Sequence, residues 1–305
     1  MKRISKLSLF LIITFTVNFS IALIFYALGV SFTGINAMIL GSAYMFVPML
    51  TVLLIEKVIY KEKIKESMQI SFNFNIWLLV AILIPPFLGI ITLGVSLLFP
   101  DVTFTPDMSG MFKRYEAMLS AEEIEQMKLS FKMMPIHPFF MTLIQGLLAG
   151  ISINALAGFG EELGWRGFML REFRGKSFVK TSIVIGAIWG FWHAPLILQG
   201  HNYPQNPQIG VIMMVIWCIL LSFLISYITI KAKSVIVAAV MHGVLNGTAG
   251  LAFLVIDGGN DLTVGVTGFA GFISLIIMIV GFYIYDTWIS KERIMSSKVE
   301  WLQAK

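Results

Sequence analysis

VIMMVIWCILLSFLISYITI, from Val211 to Ile230, runs for 20 residues without a charged side chain. A helix of about 20 apolar residues crosses the hydrocarbon core of a bilayer, so this stretch predicts a membrane-spanning helix. Seven further runs of the same kind lie around it: Leu7–Val30, Ala37–Leu54, Ile76–Phe99, Phe139–Gly158, Thr181–Leu198, Ser234–Ile256 and Val266–Ile289. None alternates with the two-residue period of a barrel strand. The expectation is an all-α integral membrane protein, a bundle of about eight transmembrane helices. Composition agrees: of 305 residues 57% are hydrophobic and 13% charged, against roughly 45–50% and 25% in soluble domains. A soluble globular protein, a disordered chain and an extended coiled coil are all excluded on that ground.

The 22 Lys and Arg residues predict an orientation. With a cytoplasmic amino terminus, alternation through eight spans puts 18 of them inside: Lys2, Arg3, Lys6, Lys57, Lys61, Lys63, Lys65, Arg166, Arg171, Arg174, Lys176, Lys180, Lys231, Lys233, Lys291, Arg293, Lys298 and Lys305. Basic residues concentrate on the cytoplasmic side of membrane proteins, so a multi-pass protein with both termini cytoplasmic is expected. The net charge of +5 is thereby spent on topology. No basic cluster interleaved with exposed aromatics remains to suggest nucleic acid. Lys2, Arg3 and Lys6 ahead of an apolar run imitate a signal peptide. The run of about 24 residues exceeds the usual 7–15 and lacks a small-x-small exit, so a retained first span is expected. Cys218, the single cysteine, can form no intrachain disulfide and reads as a small core residue.

The longest connection, Pro100–Pro138, lies outside on this topology. Ser120 and Glu123 fit a capping box, and Ile124, Met127, Phe131 and Met134 recur at helical spacing. An extracytoplasmic amphipathic helix between spans three and four is expected, lying on the lipid headgroups rather than forming a lid. Gly146 and Gly150, like Gly186 and Gly190, are small residues four apart that permit close helix approach. Pro48, Pro85, Pro86 and Pro195 are expected to kink or shorten their helices.

Ionisable groups at membrane depth are costly, so the few that occur are candidates for function. Glu161-Glu162-Leu163-Gly164-Trp165-Arg166 precedes a further apolar stretch, so a helix carrying it could run to Arg171, about 15 Å beyond Glu161. Glu162 and Arg166, spaced i,i+4, can pair on one helix face, whereas Glu161 points about 100° away. Glu161 is then free to accept a proton. The alternative is an ordinary cytoplasmic helix start with solvated acids. His193 falls about 18 Å along the fifth run, near mid-membrane, with Trp189 one turn earlier as packing. His242 and Asn246 share one face of the seventh run and can both donate hydrogen bonds to one small target, or serve as interhelical glue. Glu56 and Asp286 sit near span ends, where interfacial solvation suffices. His137 and His201 fall in outer loops with no role that the sequence reveals.

In this order, Glu161-Glu162-x-x-x-Arg166, Trp189-x-x-x-His193 and His242-x-x-x-Asn246 resemble the CAAX prenyl protease type 2 family, also called the CPBP family of intramembrane endopeptidases, with bacteriocin-processing and immunity-related members. Trp189 stands where the pattern more often has Phe. The eight-span layout is also similar. The resemblance implies one integrated domain: 1–138 with the first helices and the outer segment, 139–256 as the catalytic core, and 257–305 with the last helix and a cytoplasmic tail. It implies Glu161 as general base with His193 holding the water, His242 and Asn246 as the oxyanion pair, and Glu162 and Arg166 as support.

Zinc is the competing cofactor, since Glu161, His193 and His242 could supply three ligands with water as the fourth. No His-Glu-x-x-His segment occurs, and Asn suits donation better than zinc ligation, so a metal-free mechanism is expected. The expected partners are membrane lipids and a membrane-associated or lipidated substrate cut near the cytoplasmic side. A non-proteolytic scaffold or bacteriocin-immunity factor of the same fold is the alternative. A secondary transporter is disfavoured because no inverted repeat is evident.

Overall fold

A computed structural model describes residues 4–30, 34–116 and 119–300. Lys2, Arg3 and Lys305 of the topology argument lie outside the described residues. The apolar runs become α1 (Lys6–Ala27), α2 (Gly34–Leu53), extended by a π-helical turn Leu54–Ile59, and α3 (Ile76–Ser96). After the two-residue strand β1 (Thr103–Phe104) come α4 (Ser109–Tyr115), α5 (Ala121–Lys132), α6 (Pro138–Gly150) and α7 (Ile153–Glu162). The chain continues from α7 through a π-helical segment, Leu163–Met169, into α8 (Leu170–Glu172). Then follow α9 (Phe178–Trp192), α10 (Ala194–Ile197), α11 (Pro207–Ala232), α12 (Val235–Thr248), β2 (Ile256–Asp257) and α13 (Phe269–Ile284). Helices dominate, as an all-α membrane protein requires. Among the described residues six helices are long and apolar enough to cross a membrane, seven if the bent pair α6–α7 is one span; α9 is apolar but shorter.

The fourth run is not the single span Phe139–Gly158 that the sequence predicts. α6 and the helix that starts at Ile153 meet at 53°. Ser152 Oγ donates to the Leu148 carbonyl at 2.5 Å, the acceptor its own N–H would use in a continuous helix, and that N–H turns to the Ala149 carbonyl instead. α9 likewise stops early: His193 caps its carboxyl end and Pro195 sits in the first turn of α10. His193 therefore stands at a helix junction, not in mid-helix. Pro48 and the pair Pro85 and Pro86 lie within continuous helices.

Small residues bring the inner helices together. A Cβ placed on Gly146 would meet the Gly247 carbonyl oxygen at 2.2 Å, and one on Gly150 would meet Val244 Cα at 2.5 Å, so α6 lies directly on α12. α9 lies as closely on α11 through Gly186 and Gly190.

The two ends of the bundle are distinct. At one, Lys6 on α1 and Arg171 on α8 meet Glu56 at 3.2 and 2.7 Å. The Asn75 amide donates to the Ala232 carbonyl, Ser234 Oγ to the Ser71 carbonyl, and Lys231 pairs with Glu292. Glu56 and Asp286 are thus fully buried rather than solvated at an interface: Asp286 accepts from the Tyr227 hydroxyl at 3.2 Å and from the Met295 N–H at 2.8 Å. At the other end β1 pairs antiparallel with β2, and Arg114 donates to the carbonyls of Ile256 and Gly258. Asp257 there receives Lys113 at 3.2 Å and the Gly258 N–H, which together hold its carboxyl below the usual carboxylate range.

The capping box at Ser120 and Glu123 forms, and α5 ends at Lys132, which leaves Met134 beyond the helix. Its apolar face does not simply rest on headgroups. Ile124, Met127 and Phe131 pack with Met108, Met111 and Phe112 of the α4 segment and with Leu254.

Candidate active site

The π-helical continuation of α7 keeps residues 163–170 inside the protein, all of them buried, and so holds the acidic pair at depth. Glu161 and Glu162 go to different partners, as their angular separation requires. Glu161 Oε2 accepts the indole N–H of Trp189 at 2.7 Å and of Trp165 at 3.3 Å. Glu162 Oε1 accepts Arg166 Nη1 at 3.0 Å and contacts His242 Nδ1 at 2.8 Å. Arg166, with no exposed surface, also donates through Nη2 to Ser222 Oγ at 2.9 Å and lies over the Trp189 ring. Arg166 is therefore not one of the cytoplasmic loop charges among which the topology argument counted it.

The two histidines are held by the same nitrogen. His193 Nδ1 is 2.8 Å from the Trp189 carbonyl, which can only accept, so the proton is on Nδ1 and the Nε2 lone pair is available. His242 Nδ1 faces a carboxylate and donates to it, which leaves Nε2 for the cavity.

Glu161, His193, His242 and Asn246 converge on one cavity of about 350 Å³. Trp189, Trp192 and Trp217 line it, with Tyr44 of α2, whose hydroxyl donates to the Trp192 carbonyl at 2.8 Å. Asn246 is exposed to this space, one turn beyond buried His242. Glu162 and Arg166 stand behind His242 and do not line the cavity.

Three contributors escape a sequence reading. Trp189 is more than packing, because its N–H holds the carboxylate. Tyr44 comes from a segment with no motif. His201, from the loop after α10, lies with its ring 11° from parallel to His193 and 6.5 Å away, and enclosure in the cavity wall lowers its imidazole to about 4. Trp189 stands in a motif by its spacing to His193, but no sequence spacing links Tyr44 or His201 to the motifs, although an indole four residues from a buried acid is a signal for Trp165. His137 is structural: Nδ1 accepts the Phe139 N–H at the start of α6, and Nε2 lies 2.8 Å from the Pro106 carbonyl. Cys218 is a buried free thiol.

The site also allows a test of zinc. Among the described residues no group of three or more His, Cys, Asp or Glu side chains is disposed to hold a metal ion. Glu161 already spends one oxygen on two indole donors. Glu161, His193 and His242 line one cavity all the same.

Comparison with known proteins bears on the same segment. The family model described as Type II CAAX prenyl endopeptidase Rce1-like matches residues 138–248. The protein named CAAX prenyl protease 2 from Methanococcus maripaludis is 35% identical over 101 residues, which cover 30% of this chain. The match spans 36% of that relative's length. The matched residues 138–248 hold Glu161, Glu162, Arg166, His193, His242 and Asn246, so the similarity to the Rce1-like type II CAAX prenyl endopeptidases covers every motif residue of the candidate site.

Proposed function

We propose that the protein is an intramembrane endopeptidase that hydrolyses a peptide bond in a membrane-associated or lipidated, CAAX-like polypeptide. The observation that carries this reading is a buried carboxylate, fixed by two indole donors, that shares a cavity with two imidazoles and an exposed amide. Glu161 takes a proton from a water whose other hydrogen is accepted by His193 Nε2. The water oxygen bonds to the scissile carbonyl carbon, and the carbonyl π electrons move to oxygen. His242 Nε2–H and the Asn246 amide donate to that oxyanion. To donate from Nε2 while Nδ1–H bonds Glu162, His242 carries both ring protons, and the Glu162–Arg166 pair orients it. On collapse the C–N bond breaks and the departing amine takes the proton from Glu161.

The proposed steps use no metal. The proposed orientation has both termini in the cytoplasm: apart from buried Arg166, the described Lys and Arg residues of the topology argument gather at the Lys6–Glu56–Arg171 end, while Lys113, Arg114, Lys128 and Lys132 lie at the other.

The test is cleavage of candidate lipidated peptides by purified protein beside Glu161→Gln, His193→Ala and His242→Ala. Loss of a general base typically costs about 10²–10⁴ in rate, and a loss of that order is expected for Glu161→Gln. Equal cleavage by parent and all three variants overturns the reading. Chelator treatment with metal analysis is expected to leave activity intact; stoichiometric zinc whose removal abolishes cleavage would reinstate the metal mechanism. A scaffold or immunity role predicts instead that the variants keep the cellular phenotype.

A further inference from the structure

The cavity has a direction. Its walls come from one end of the bundle: Ala37 and Gly41 in the first turns of α2, His201 and Asn202 after α10, Ala249 just past α12, and Thr267 just before α13. The rim is built rather than loose. The Tyr203 hydroxyl donates to the Thr267 carbonyl at 2.7 Å, and Asp261 accepts the N–H of Gln205 at 2.7 Å and the amide of Asn206 at 2.7 Å. Asn246 is exposed at this end, whereas Glu161 and His242 are buried deeper.

Toward the opposite end the way is filled. Behind Glu161 stand the Glu162–Arg166–Ser222 bonds, then Trp165, Phe168, Met169 and Leu170, none with exposed surface. Phe10 of α1 packs edge-on to Trp165 and against Phe168 at 4.9 Å. The Lys6–Glu56–Arg171 cluster closes that end, and it is the end that carries the basic connections. Basic connections mark the cytoplasmic face.

We propose that the site is fed from the extracytoplasmic side, so that its substrate is the outer segment of an exported or membrane-anchored polypeptide and not a cytoplasmic tail. This reverses the cytoplasmic access expected from motif depth and narrows the substrate to the membrane-associated class over a CAAX-like cytoplasmic tail, and it rests on the orientation and the endopeptidase reading above. The reason is the break at His193: α9 ends there, and the imidazole lines a cavity that also reaches Ala37 and Gly41 at the outer end of α2 and Ala249 and Thr267 at the outer ends of α12 and α13.

The full-length protein supplies its own test because its one thiol, Cys218, is buried. On a Cys218→Ala background, single cysteines are placed at the rim (Ala37→Cys and Ala249→Cys), on the α5 cap (Glu122→Cys) and on the basic connection (Lys176→Cys). A membrane-impermeant maleimide is then applied to intact and to permeabilised cells. The expected result is full labelling of the two rim cysteines and the cap in intact cells, with Lys176→Cys labelled only after permeabilisation. Protection of both rim cysteines in intact cells overturns the proposal, whether or not permeabilisation exposes them, as does labelling of Lys176→Cys in intact cells. Labelling does not depend on catalysis, so inactive Glu161→Gln protein gives the same pattern, and a failure of the protease reading is told apart from a failure of the access side.

Discussion

Trp189 shows how one atom changes a residue's assignment. As an aromatic one turn before His193 it reads as packing, yet its N–H donates to Glu161 Oε2 at 2.7 Å, and its own carbonyl takes His193 Nδ1 at 2.8 Å. One residue thus sets the position of both the acid and the imidazole. Trp189→Phe keeps an aromatic ring but removes the N–H together with the five-membered half of the buried indole. A hydrogen bond to a charged group contributes about 1.5–3 kcal/mol, so a fall in kcat of about ten- to a hundredfold is expected with KM little changed. Steady-state kinetics on a peptide substrate check this, with Trp165→Phe, whose bond is longer at 3.3 Å, expected to lose less. The i,i+4 pairing of Glu162 with Arg166 was legible because both residues share one helix. The partnerships of Glu161 with Trp189, of Glu162 with His242 and of Tyr44 with Trp192 were not, because each joins helices far apart in the chain.

At the scale of elements, the positions of the site residues depend on helices that approach closely. α9 carries Trp189 and precedes His193, and it is seated on α11 where a Cβ on Gly190 would lie 2.5 Å from Val215 Cα. Overpacking typically costs about 1–3 kcal/mol, and Gly190→Leu, which forces backbone apart, is expected to fall at the upper end or beyond. A thermal melt of the purified variant in detergent should show a Tm several degrees below the parent; an unchanged Tm would mean that α9 and α11 do not need this contact. The apolar runs gave these helices away, as did the small-residue spacings. The interruptions did not show. Ser152 is an ordinary small residue in an apolar run until its hydroxyl takes the Leu148 carbonyl, and the 53° bend that follows aims the acidic helix. The outer helix α5 was visible from its capping box and periodicity, but not the α4 partner that covers its apolar face.

Across the whole molecule, Glu56 ties three separate parts together. It lies on the π-helical extension of α2 and joins Lys6 at the start of α1 to Arg171 on α8, just beyond the helix that carries the acidic pair. Removing one partner of a fully buried ion pair costs about 3–5 kcal/mol; Lys6 and Arg171 keep some contact with water, so Glu56→Ala is expected to lose about 1–3 kcal/mol. Thermal unfolding of the variant measures the loss. An effect no larger than that of Glu62→Ala, an exposed partner of Lys6, would show that the buried carboxylate holds nothing together.

From its sequence alone this protein is a helical membrane protein with an inferable orientation and a three-part motif, because bilayer thickness and the cost of buried charge act on local runs of residues. Which way the site opens is a tertiary property. It depends on where α9 stops, on which helix ends surround His193, and on the buried π-helical segment that fills the opposite side. Hydropathy places a residue at a depth in the membrane but carries no information about which neighbouring helices leave space beside it, and only the packed bundle decides that.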